Sequence, residues 1–146
     1  MFELIPGTGV VLPAGAGLLR FGLEDRATGR TLAALGDARA VPMLDATWSR
    51  TARHHDVELA IGSDEVDWDA LEPTDPLLRS IVLSRARPAS CGPAVTPVVL
   101  DGIDLFGHPA TEVLDVLGRD LPVGLWLGSP PRRGYLTVVR LAAAHG

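Results

Sequence analysis

Lysine, asparagine and glutamine do not occur in this chain, so every basic side chain apart from four histidines is arginine. A lysine-based phosphate loop and a Schiff-base lysine are therefore excluded. The bias is what a GC-rich coding background of the actinobacterial kind produces. Cysteine is almost absent: Cys91 has no internal disulfide partner. It stands among glycine and proline with no histidine near it in sequence, and reads as an incidental thiol. The formal charge of −5 leaves no basic excess of the sort that nucleic acid demands. No apolar run approaches the roughly 18 residues of a membrane span. The opening Met1 to Pro6 carries Glu3 and a proline where a secretion signal needs positive charge and then a longer apolar run. The expectation is a cytoplasmic protein with no cofactor, no bound metal, no nucleic-acid partner and no membrane partner.

What is present is most orderly between Val98 and Gly118. Two apolar runs, Val98 to Leu100 and Ile103 to Phe106, flank Asp101-Gly102. Such a pair predicts a tight hairpin, because the turn needs positive φ at its centre. Pro109 suits the first position of a helix, although His108 is a poor cap before it. Ala110, Val113, Leu114 and Leu117 then fall on one helical face, with Glu112 and Asp115 opposite. Asp115 is spaced for a weak surface pair with Arg119, and Gly118 for the left-handed end of the helix.

An imperfect copy of this unit opens the chain. Val10-Val11-Leu12 matches Val98-Val99-Leu100, Phe21-Gly22 matches Phe106-Gly107, and Leu32, Leu35 and Gly36 match Leu114, Leu117 and Gly118. Further on, Val57 to Ser63 resembles Val123 to Ser129. The order is kept while the spacing shrinks, so the first copy is the longer. At 146 residues the chain is read as one domain, residues 1–146, with a first copy over 8–90 and a second over 96–146. The second copy alone is too small for a comfortable core, which implies shared packing.

Taken in order, Val10 to Leu12 and Leu18 to Phe21 predict a hairpin with the wider loop Pro13 to Gly17. Gly15 and Gly17 are turn glycines, since no G-x-G-x-x-G follows and no helix starts directly after them. A helix is expected from Asp25 or Thr28 to Gly36, and a strand over Val41 to Thr51 with Leu44, Ala46 and Trp48 on one face. A turn at Ala52 to His54 should lead into an alternating strand through Val57, Leu59 and Ile61. Residues 62–76 read as an acidic loop without calcium-loop spacing. Leu77 to Ala86 is expected to be a strand and 88–97 a linker. Val123 to Leu127 and Tyr135 to Leu141 are expected to form a closing hairpin, tipped by Arg132 and Arg133.

Little of this carries chemistry. His54-His55-Asp56 is the one cluster that suggests catalysis or metal binding, with Glu58 and Asp45 as potential helpers. Adjacent strand histidines point to opposite faces, however, and no second ligand pair stands at zinc spacing. Ile61-Gly62-Ser63-Asp64 lacks the second glycine of a nucleophile elbow. Trp126 is more suggestive. With Val123, Leu125 and Leu127 on one face it takes the other, beside the Arg132-Arg133 tip. There it either packs under a neighbouring loop or against Trp48, the more ordinary fate, or stands exposed as a protein-binding anchor would.

The string Phe106-Gly107, Glu112-Val113 and Leu117-Gly118 resembles a recurring element of small bacterial proteins. It is also similar to the turn-and-helix of tandem-repeat α+β proteins such as the β-lactamase-inhibitory proteins and the small outer-membrane assembly lipoprotein. The likeness covers about twenty residues in each copy. This chain departs from those families in lacking their secretion signal, paired cysteines and lipid-attachment cysteine. The resemblance implies a role in binding a partner protein and carries over no functional residue.

The fold expected is therefore α+β: antiparallel sheet with two short helices, built by internal duplication of a β-β-α-β-β unit. The function expected is a non-enzymatic protein-binding module with an immunity, inhibitor or accessory role, contacting its partner through Trp126, Arg132 and Arg133. Two alternatives stand beside it. One is a small metal-dependent or hydrolytic enzyme using His54, His55 and Asp56. The other is a homo-oligomer joined through an edge strand.

Overall fold

The structure is a computed structural model that describes residues 1–36, 38–41, 46–63, 76–85, 95–118, 120–128 and 134–143. The expected hairpins form. β2 (Gly9–Leu12) pairs antiparallel with β3 (Gly17–Arg20), and β8 (Val98–Leu100) pairs antiparallel with β9 (Ile103–Asp104). Asp101 and Gly102 both have positive φ, at 49° and 79°, as the tight turn requires. Gly9 is needed for a different reason. It opposes Arg20 so closely that a Cβ would sit 2.0 Å from the Leu19 carbonyl oxygen.

Between the hairpins lies a strand that the sequence reading left unassigned. β1 (Phe2–Ile5) buries Phe2 and Leu4 and exposes Glu3 and Ile5. It pairs antiparallel with β2 and parallel with β8, giving the order β3-β2-β1-β8-β9. The expectation of purely antiparallel sheet is thereby corrected: this sheet is mixed. Its parallel pairing joins residues 96 positions apart, Phe2 with Val98, which no local pattern encodes.

The second sheet is antiparallel throughout. It comprises β4 (Arg39–Ala40), β5 (Ser49–His54), β6 (Val57–Ser63), β7 (Leu78–Arg85), β10 (Leu125–Trp126) and β11 (Val138–Ala142), in the order β10-β11-β7-β6-β5-β4. Two expectations change here. The strand placed over Val41 to Thr51 begins instead at Ser49, with residues 42–45 outside the described residues. The turn placed at Ala52 to His54 is displaced to His55 and Asp56. Ala52 is 2 % exposed and opposite Leu59, so burial carries the strand on to His54.

α1 (Asp25–Ala33) follows β3, and α2 (Ala110–Leu117) follows β9. α1 starts at Asp25 as expected but stops short of Gly36, which takes positive φ two residues beyond the cap. Arg50 on β5 donates to the Asp25 carboxylate at 2.6 Å, and its guanidinium fills the space left by Gly29, whose Cβ would lie 2.8 Å from it. α2 ends at Gly118 with φ 73°. Pro109 is its extended cap residue rather than its first turn, because its carbonyl already accepts the Val113 N–H. Both helices are too short to persist unaided. Leu32, Ala110 and Val113 are buried, while Leu35, Leu114 and Leu117 pack at the margin of the core.

The core is continuous. Phe2, Leu4, Val10, Leu19, Val98, Leu100, Leu105 and Phe106 join the inward row Leu59, Ile61, Ile81, Leu83, Val139 and Leu141 of the antiparallel sheet. Main-chain bonds also tie the segment after each hairpin of the mixed sheet to a later part of the chain. Gly22 N–H donates to the Leu78 carbonyl and Leu78 N–H to Leu23, and Ala110 N–H donates to Gly134 beside the Pro109–Tyr135 bridge. Because Phe2 is fully buried on the central strand, Phe2→Ala should destabilise the whole domain by about 3–5 kcal/mol. Urea unfolding should show one transition for both sheets, displaced to lower denaturant.

Candidate functional site

The His54-His55-Asp56 cluster is the turn between β5 and β6. The His54 ring lies edge-on to Phe2 at 5.9 Å between centroids, and His55 packs edge-on to it at 4.3 Å. His55 itself has φ 55°, the left-handed conformation that lets the chain reverse. Asp56 accepts the backbone N–H of Val95 at 2.6 Å and of Thr96 at 3.1 Å. Its carboxylate thus fastens this turn to the segment entering β8.

Electrostatics follow from these contacts. Burial lowers the His54 pKa, and the neighbouring His55 and the N-terminal ammonium push it the same way, so the fold favours the neutral ring. For Asp56 burial alone would raise the pKa. The N–H groups of Val95 and Thr96 outweigh it, and the net direction is down. Glu58 faces Arg53 across the β5–β6 pair, 4.0 Å from its guanidinium. Asp45 lies outside the described residues. Among the described residues no group of three His, Cys, Asp or Glu is placed to hold a metal ion. The chemistry on view at this turn is that of a clasp, in which an ionised carboxylate holds two amides.

Trp126 is on β10, at the edge of the antiparallel sheet, and is 54 % exposed. Leu125 and Leu127 are buried on either side of it, as alternation requires. Val123 departs from the expectation and is 84 % exposed. Gly124, at φ 84°, breaks the strand before it, and a side chain there would meet the Ala142 carbonyl oxygen at 2.5 Å. Arg132 and Arg133, together with Cys91 and the acidic stretch 64–75, lie outside the described residues.

Cross-strand register extends the Trp126 position into a row. Trp126 is opposite Arg140, which is opposite Val82, then Ala60, Thr51 and Arg39. The adjacent row runs Val138, Ser84, Glu58, Arg53. These residues alternate with the buried ones, so they share the face turned away from the core. On that face Arg39, Thr51, Arg53, Glu58, Ala60 and Ser84 line a groove of about 330 Å³. A smaller apolar hollow of about 290 Å³ lies between the β8–β9 turn and α2, lined by Ile103, His108, Val113 and Val116. The arginines of the groove were not picked out by sequence. They are distant along the chain, and strand alternation identifies a face without saying which residues meet on it.

In comparisons with protein-family models, curated proteins and solved structures, nothing matches this chain. None of the helices among the described residues is long and apolar enough to cross a membrane.

The clasp makes a pH-dependent prediction. Asp56→Ala leaves two backbone N–H groups without their acceptor and should destabilise the protein by about 1–3 kcal/mol at pH 7. Since the carboxylate pKa is depressed by folding, its contribution is full above about pH 4 and fades as pH falls through its own lower value. Denaturant midpoints should therefore converge for the two proteins below that range and stay apart above it.

Proposed function

We propose that this chain is a non-enzymatic protein-binding module, of the immunity, inhibitor or accessory kind, whose contact surface centres on Trp126, with Arg132 and Arg133, which lie outside the described residues, as further contact residues. The observation that carries the reading is Trp126 itself. A large aromatic side chain, more than half exposed, stands on the two-residue edge strand β10 with exposed Val123 close by in sequence. Exposed aromatics on a rigid element give large contact area at small entropic cost, which is why they recur as binding anchors. An edge strand also offers unpaired backbone groups to a partner.

The same reading includes an origin by duplication of a hairpin–helix–hairpin unit. Strand order supports it. In the mixed sheet β3-β2 and β9-β8 flank β1 on opposite sides. In the antiparallel sheet β6-β7 and β10-β11 meet at the β7–β11 pair. One half-turn about an axis through β1 and between β7 and β11 would exchange the two sets. The chain just after each first hairpin also bonds to a later segment, Gly22 and Leu23 to Leu78 at the start of β7 and Pro109 to Tyr135 ahead of β11. β4 and β5 belong to the longer first copy.

The test is partner capture with in-cell cross-linking, comparing the protein with Trp126→Ala. Trp126 is on the surface, so the variant should unfold at the same denaturant concentration. It should lose the cross-linked partner with at least a tenfold drop in affinity, the scale of an anchor residue. Unchanged capture by the variant would end the reading.

A further inference from the structure

The outer face of the antiparallel sheet is a different kind of surface from Trp126 alone, although its use as a docking site rests on the protein-binding reading. The chain as a whole is acidic, at −5, yet among the described residues this face gathers Arg39, Arg53 and Arg140 against one carboxylate, Glu58. Arg53 is partly engaged. It donates to the His55 carbonyl and approaches Glu58. Arg39 and Arg140 are exposed and make no hydrogen bond or ion pair with the described residues. The groove itself is lined by Arg39, Thr51, Arg53, Glu58, Ala60 and Ser84, and the half-buried Val82 and then Arg140 continue the row beyond it on β7 and β11.

We infer that this groove receives an extended acidic segment of a partner protein, lying across the strands from Arg140 to Arg39. The dimensions agree. Arg140 on β11 and Arg39 on β4 are separated by β7, β6 and β5, which at about 4.8 Å per strand spans about 19 Å. An extended peptide covers that in about six residues. Carboxylates at its ends would meet the free guanidinium groups of Arg39 and Arg140, where arginine can bind them in bidentate fashion. A third would meet Arg53. Its apolar side chains would rest on Val82 and Ala60 and, at the near edge, against Trp126. Nucleic acid fits this face poorly. None of the described residues that line the groove is aromatic, so a base has no ring within it on which to stack.

The experiment is an amide-resolved NMR titration with an acetylated, amidated peptide of about eight alternating Glu and Leu residues, long enough to cross the groove. A matching Lys-Leu peptide and a single-stranded oligonucleotide serve as comparators. The acidic peptide should shift amides of β5, β6, β7 and β11, bind more weakly as salt rises, and lose at least tenfold in affinity to the double variant R39E/R140E, whose thermal midpoint should be unchanged. The Lys-Leu peptide should shift none of them. The inference is overturned if millimolar acidic peptide leaves those amides unmoved, or if R39E/R140E binds it as tightly as the parent. It is also overturned if the oligonucleotide and not the peptide shifts the face, or if sedimentation shows a second copy of the chain occupying it. Should R39E/R140E keep the cross-linked partner that Trp126→Ala loses, the acidic-segment inference falls while the protein-binding reading stands. Loss with neither variant removes both.

Discussion

Pairing of one four-residue strand with two others, in opposite senses, is the constraint on which the molecule depends. β1 is antiparallel to β2 and parallel to β8, so among the described residues it is the strand that joins the first hairpin to the second. Its inward residues, Phe2 and Leu4, are buried in a core that also takes the inner face of the antiparallel sheet. Neither hairpin could bury its apolar side alone, since an isolated two-stranded hairpin is marginal in water. With β1 between them the two hairpins form one continuous layer, and the helices that follow each hairpin are held by that layer. The Asp56 clasp works in the same direction, tying the β5–β6 turn to the chain as it enters β8.

Legibility in the sequence divided along the line between local and non-local information. Asp101-Gly102 and the periodic Ala110, Val113 and Leu117 each specify a conformation within a few residues and adopt the expected one, whereas Gly118 takes the expected positive φ with ψ −166°, outside the left-handed helical region. Trp126 could be assigned to the outer face because Leu125 and Leu127 flank it. Val123 could not, because strand alternation presumes an unbroken strand and Gly124 interrupts it. β1 was invisible for a related reason. Four residues offer one cycle and a half of alternation, and the partner that makes them a strand is β8, far along the chain. The end of β5 went astray because the turn was placed at Ala52 to His54, whereas Ala52 opposite Leu59 continues the ladder to His54.

The candidate surface shows the same division more sharply. Trp126 was readable from its immediate neighbours, but its row mates were not. Arg39, Thr51, Ala60, Val82 and Arg140 come from five different strands, and only the register of four successive antiparallel pairings brings them into line. Conversely, the feature that looked most chemical in the sequence, two histidines followed by an aspartate, has a structural account. One ring packs on Phe2 and the carboxylate is committed to backbone amides.

If β1 unites the two halves, they cannot open separately. Native-state hydrogen exchange tests this most directly, because it reads the opening free energy of each strand. The account predicts that the slowest amides of β2, β6, β7, β8 and β11 share one value, equal to the global unfolding free energy. Exchange of β8 and β11 at a distinctly lower free energy than β6 and β7 would contradict it, since the second half would then be a separate unit merely resting on the first.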